Sequence, residues 1–213
     1  MQKSIVSALA ALCAVAAARP AAAQTLPTTP LSVEVRGGAA FPMGDFADER
    51  QGNAETGWGY GGNVSLQLNP ALALYAGYDR FEFPSDNFEV DLPGNVGDVD
   101  GKWIDSGFSG GVKLMLPLAT MSRLGPWVKG GVVYRKLGVN LDDERFDELE
   151  DELETDPALG FEVGGGLSLP LGPRVAVTPG VRYLSYSADP VDGGDGEVNV
   201  SHLTLDLGLS IRF

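Results

Sequence analysis

From Leu31 to the last residue, apolar and polar positions alternate along the chain with a period of two. The final segment shows it best. Leu203, Leu205, Leu207, Leu209, Ile211 and Phe213 take turns with His202, Thr204, Asp206, Gly208, Ser210 and Arg212. Successive side chains of an extended chain point to opposite faces, so the apolar residues share one face and polar or small ones share the other. The same pattern sets Leu31, Val33 and Val35 against Ser32, Glu34 and Arg36. Trp58, Tyr60, Val64, Leu66 and Leu68 stand against Asn63, Ser65 and Gln67. Leu159, Phe161, Val163, Leu167 and Leu169 oppose Glu162 and Ser168, while Val175, Val177, Val181 and Tyr183 oppose Arg174, Thr178 and Arg182. Residues 72–83, 103–116 and 126–138 add three less regular strands, the first apolar on both faces. Eight strands are expected, with no sustained heptads.

The connections alternate as well. Three are short and rich in Pro and Gly: Asn69-Pro70-Ala71, Pro117 to Gly125, and Pro170-Leu171-Gly172-Pro173. The other four, residues 42–56, 84–101, 139–157 and 187–197, are long and polar. Short turns at one end and long loops at the other predict an all-β, up-and-down antiparallel meander. Charge follows the same division. The chain has 29 Asp and Glu, 15 Lys and Arg, one His and a net charge of −14. Of the 29 acids, 23 lie in the four long connections, ten of them between Asp142 and Asp156. Such a chain repels nucleic acid, because phosphate backbones need clustered bases. One Cys and one His cannot build a zinc ribbon, a disulfide framework or a Cys-His centre. The 44% hydrophobic content excludes a disordered chain.

The first residues have another purpose. Lys3 precedes an uncharged run from Ile5 to Ala18, then Arg19-Pro20 and Ala21-Ala22-Ala23. A charged head, a short apolar run and small residues at the end predict a secretory signal peptide over residues 1–23, with residues 24–213 as the exported domain. The run falls short of the roughly 20 apolar residues that span a bilayer as a helix. Leu12 before Cys13 is too large for a lipoprotein signal. Cleavage after Ala23 removes the only Cys and leaves 190 residues carrying −16.

Alternation alone fits two opposite objects. A soluble barrel buries its apolar faces, whereas a membrane barrel turns them to lipid and keeps a polar interior. Three observations favour the second. The polar faces carry Glu34, Arg36, Asp79, Lys113, Lys129, Glu162, Arg182, Asp206 and Arg212, a nearly neutral set able to pair inside a narrow lumen. Each alternating run is about 10 residues, enough for a tilted strand to cross a bilayer. Aromatics collect near strand ends: Trp58, Tyr60, Phe81, Phe83, Trp103, Tyr134 and Tyr183 toward the long loops, Trp127 and Phe213 toward the short turns. Two interfacial girdles are therefore expected.

The segment Gly37-Gly38-Ala39-Ala40-Phe41-Pro42-Met43-Gly44-Asp45-Phe46 resembles the first strand and loop start of small bacterial outer-membrane β-barrel domains of the OmpA and OmpX kind. Leu203, Leu205, Leu207, Leu209, Ile211 and Phe213 resemble the C-terminal signal of that family. The resemblance implies an eight-stranded transmembrane barrel in the outer membrane. It also implies contact with outer-membrane lipid, and with periplasmic chaperones and the outer-membrane assembly machinery during biogenesis. No peptidoglycan-binding domain is expected after Phe213.

Some small outer-membrane barrels modify lipids, so a nucleophile and base are worth seeking. His202 is the only His, and the adjacent Ser201 belongs to the opposite face of an extended strand, which prevents a local Ser-His pair. His202 is expected as an ordinary polar residue near the rim. Gly61-Gly62 and Gly110-Gly111 lack the following helix and Lys of a phosphate loop. Phe146, Leu149 and Leu153 fall at helical spacing within the acidic third loop, which suggests a short amphipathic external helix. Asp189, Asp192, Asp195 and Glu197 offer oxygen ligands for Ca²⁺, without the spacing of an EF-hand. No cofactor is expected. The sequence thus reads as a non-enzymatic outer-membrane barrel with acidic external loops and a structural or surface-interaction role, its external ligand unspecified. The alternatives are a lipid-modifying hydrolase, a narrow pore, or a secreted soluble ligand-binding barrel.

Overall fold

The computed structural model describes residues 31–48, 53–92, 95–116, 124–141, 155–188 and 198–213. The expected leader 1–23, the acidic segment 142–154 with its expected helix, and Asp189, Asp192, Asp195 and Glu197 lie outside the described residues. Eight strands follow in order: β1 (Leu31–Met43), β2 (Gly57–Asn69), β3 (Leu72–Leu92), β4 (Asn95–Met115), β5 (Gly125–Leu141), β6 (Ala158–Pro170), β7 (Val175–Ala188) and β8 (Val198–Arg212). Each pairs antiparallel with its sequence neighbour, and β8 returns to β1 to close the barrel. The closing ladder runs from Ser32 opposite Arg212 to Met43 opposite Ser201. Closure leaves no unpaired edge in the wall, which is what hydrocarbon demands of a sheet.

The wall is inverted relative to a soluble protein. Phe108, Val132, Leu159, Leu205 and Leu207 are more than half exposed on the outside. On the inside, Glu34, Arg36, Asp79, Asp105, Lys129, Arg135, Glu162 and Arg182 are buried. An apolar wall around a charged interior is stable only with lipid outside and partners within.

Two expectations fail here. Residues 84–92 and 95–101 do not form a loop: β3 and β4 continue as a ribbon in which Leu92 pairs with Asn95. The ladder to β2 ends at Glu82 and the ladder to β5 at Gly101, so the ribbon stands off the barrel. Its Asp, Gly and Pro residues read as loop formers, yet antiparallel pairing with Phe88 opposite Val99 satisfies both backbones. The second correction concerns the aromatics. Phe81, Phe83 and Trp127 are buried on the inner face, and Trp103 packs against the same interior cluster, so none of the four belongs to a lipid girdle. Trp58, Tyr60 and Tyr134 do face outward.

The reason is a plug. After β1 the chain makes a single 3₁₀ turn, Gly44–Ala47, which Gly44 enters at φ +62°, a backbone state that costs glycine little. The turn drives Phe46, fully buried, against Phe83 (ring centroids 5.2 Å apart) and Trp103 (6.2 Å). Ala40, Phe81, Val133, Leu137, Leu184, Tyr186 and Val200 complete this layer. The half of the interior nearest the long connections is thus an ordinary hydrophobic core, which explains why β3 reads as apolar on both faces. Burying a ring of this size contributes about 1.5–3 kcal/mol.

Candidate functional site

Below the plug the interior becomes charged. Asp79 on β3 sits between two arginines. Arg36 on β1 grips it with both Nε (3.0 Å) and Nη2 (2.8 Å), and Arg182 on β7 adds Nη1 at 3.2 Å. Arg182 also holds Asp206 on β8 through Nε (2.5 Å) and Nη2 (3.1 Å). Glu162 on β6 accepts from both directions: Lys129 Nζ lies 3.0 Å from each carboxylate oxygen, and the Tyr75 hydroxyl donates at 2.6 Å. Glu34 receives Asn63 at 3.2 Å and pairs with Lys113 at 3.5 Å. Bidentate, charge-assisted bonds of this kind are the strongest a protein makes between side chains. The enclosed space among them is about 10 Å³, bounded by Glu34, Arg36, Lys113, Lys129 and Arg182, room for about one water.

Arg212 is exposed at the end of β8, outside the hydrogen-bonded network. The other eight charged residues of the alternating set come together in the lumen, Lys113 and Asp206 only partly buried. Leu205, Leu207, Leu209, Ile211 and Phe213 are exposed on the outer wall, with Leu203 partly covered.

A second cluster was not foreseen. Arg135 on β5 donates from Nε to Asp105 Oδ1 on β4 at 2.6 Å, and from Nη2 to the Asp105 carbonyl at 3.0 Å. Tyr186 on β7 donates its hydroxyl to the same Oδ1 at 3.0 Å. Both partners of the ion pair are fully buried. His202 joins them rather than sitting at the rim. Its ring is fully buried 4.7 Å from Phe81 and 5.3 Å from Phe83, with Nδ1 3.6 Å from Asp105 Oδ2, too far for a hydrogen bond. Ser201 instead donates to the Met43 carbonyl at 2.9 Å. The missed signal was parity. Asp105 shares its face with Trp103, and Arg135 shares its face with Lys129.

With these two the interior holds Glu34, Asp79, Asp105, Glu162 and Asp206 against Arg36, Lys113, Lys129, Arg135 and Arg182. The charges cancel. Contacts bridge β1, β3, β4, β5, β6, β7 and β8 across the lumen, so the arrangement acts as a cross-brace. Among the described residues, no group of three or more His, Cys, Asp and Glu could hold a metal ion.

Comparison with known proteins supplies the kinship. The family described as outer membrane protein beta-barrel domain matches residues 7–213. The chain belongs to that family. It is an outer-membrane protein, its apolar wall set in lipid, as the likeness to OmpA and OmpX implied. Among solved structures it is similar to Neisserial surface protein A, with 18% identity, a TM-score of 0.59, and coverage of 87% of this chain and 98% of that one. Ail, the attachment invasion locus protein of Yersinia pestis, gives 13% and 0.47, covering 87% of this chain and 100% of its own. OprG of Pseudomonas aeruginosa gives 13% and 0.47, with 87% and 97% covered. No curated protein matches the chain.

Proposed function

We propose that this family member is a non-enzymatic surface protein, a sealed barrel that presents acidic segments on the external side of the outer membrane. The observation that carries the reading is the interior. An aromatic plug lies above a neutral ion-pair network, and the enclosed cavity among its charges is of about 10 Å³. Eight strands enclose only what side chains fill. A hydrolase acting on membrane lipid needs its base within reach of an acyl ester, whereas His202 lies inside the wall and beneath Phe46 and Phe83. The role is therefore display and contact, with the acids of the long connections offered to cations or cationic partners. Residues 1–23 act as the leader. Chaperones and the assembly machinery read the final strand during biogenesis.

Recordings in planar bilayers test the sealed interior, with no stepwise conductance expected from the purified protein. Stable ohmic steps would overturn it. External protease on intact cells is expected to cut within Glu144 to Asp156. Cutting only after lysis would reverse the orientation.

A further inference from the structure

Inside the charged half of the lumen, missing side chains make room. Gly166 on β6 pairs with Gly180 on β7, and both sit where a Cβ would meet the Trp127 indole. A Cβ at Gly180 would lie 2.9 Å from Trp127 Cζ2, and one at Gly166 would lie 2.7 Å from it. The two glycines therefore let the ring reach from β5 across β6 to the wall of β7. Gly208 on β8 plays the same part for Thr178 on β7, its partner in the ladder. A side chain at 208 would need the space that the Thr178 hydroxyl takes.

Both side chains bring an unpaired polar atom to the same place. Trp127 and Thr178 line the cavity of about 10 Å³, together with Glu34 and Lys113. Each is only 5% exposed, and neither Trp127 Nε1 nor Thr178 Oγ1 has a hydrogen-bond partner. An indole N–H can only donate, and a buried donor left unpaired is costly. The neighbouring acids differ in what they can still accept. Asp206 is taken by Arg182 and Thr204, and Glu162 by Lys129 and Tyr75. Glu34 Oε2 meets Lys113 at 3.5 Å, long for a charged hydrogen bond, and keeps capacity on that side.

We propose that this cavity binds one water molecule, which accepts from Trp127 Nε1, bonds the Thr178 hydroxyl and donates to Glu34. Size and charge select the occupant. A space of about 10 Å³ is close to the least that holds a water, and three polar partners are usual for a buried one. An anion would bring a further buried charge into a lumen whose charges already cancel. One water is not a file, so it opens no path through the barrel. It ties β5 to β1 and β7, adding to the cross-brace. The site depends on the lumen geometry alone, and its loss would leave the display role untouched.

Crystals of the purified barrel, grown with sodium bromide as the only halide, test the site by X-ray diffraction. The wild-type chain is expected to show one density peak within hydrogen-bond distance of Trp127 Nε1 and Thr178 Oγ1, without the anomalous signal of bromide. Thr178→Val keeps the shape of the side chain and removes its hydroxyl. That variant is expected to lose most of the peak while the Trp127 ring stays in place. An empty cavity, an anomalous bromide peak at the site, or direct bonding of Nε1 to a protein oxygen would overturn the proposal. So would undiminished density in Thr178→Val.

Discussion

Replacing Asp105 with leucine, with Arg135 left in place, is expected to destabilise the barrel by about 3–5 kcal/mol, because it strands a fully buried guanidinium. Arg135→Met is expected to cost a similar amount, leaving the Asp105 carboxylate with only the Tyr186 hydroxyl among its side-chain donors. The double variant is the informative one. Removing both charges eliminates the desolvation cost of each, so it is expected to recover most of the wild-type stability. Urea midpoints in micelles measure all three. A double variant as unstable as the two single effects added together would show that the pair does not act as an isolated unit. The deeper network behaves differently. Glu162→Leu leaves Lys129 without its carboxylate, yet Arg182 keeps Asp79 and Asp206, so the loss is expected to be smaller than at Asp105.

Deleting Phe213 is expected to lower outer-membrane yield severalfold while barely changing the stability of barrel refolded in detergent. The ring is 60% exposed on the lipid side, and its backbone contributes one hydrogen bond to the Leu31 carbonyl at 3.0 Å. One such bond is worth about 1 kcal/mol. A barrel already closed by the β1–β8 ladder can lose it. Assembly is a separate matter, since the outward face from Leu203 to Phe213 is what a recognition step would read. Comparing yield in cells with refolded stability separates the two, and a normal yield would refute the assembly role.

The order of the eight strands was legible because hydrocarbon and lumen impose opposite demands on alternate residues. β2, and β8 from His202 onward, obey this, so Leu205, Leu207, Trp58 and Val64 fall outside as their parity requires. β3 was harder to read. Phe81 and Phe83 occupy inward positions because the interior near the long connections excludes water, and an apolar filling there erases the contrast between faces, while Tyr75, nearer the short turn, points inward to donate its hydroxyl to Glu162. Parity still held the answer, since Phe81 and Phe83 fall on the same face as Asp79. Trp127 was hidden the same way, sharing its face with Lys129 and lying under the Lys113 ammonium at 4.4 Å. His202 looked like a rim residue because a lone polar side chain near a strand start is usually wet. Nothing in the local sequence announces that Phe46 folds back over the mouth. That contact joins residues far apart in the chain, and only closure of the barrel brings them together.

The central claim is the inversion, with apolar residues against lipid and charges sealed inside. Nitroxide labels placed one at a time from Thr204 to Leu209, on a chain lacking its leader and therefore its only thiol, Cys13, read it directly. The barrel is reconstituted in lipid vesicles, and collisions are measured with oxygen, which concentrates in hydrocarbon, and with a water-soluble nickel complex. High oxygen and low nickel access at 205, 207 and 209, with low access to both reagents at 204, 206 and 208, is the expected result. Nickel access at 205, 207 and 209 would contradict the account, because those leucines would then face water.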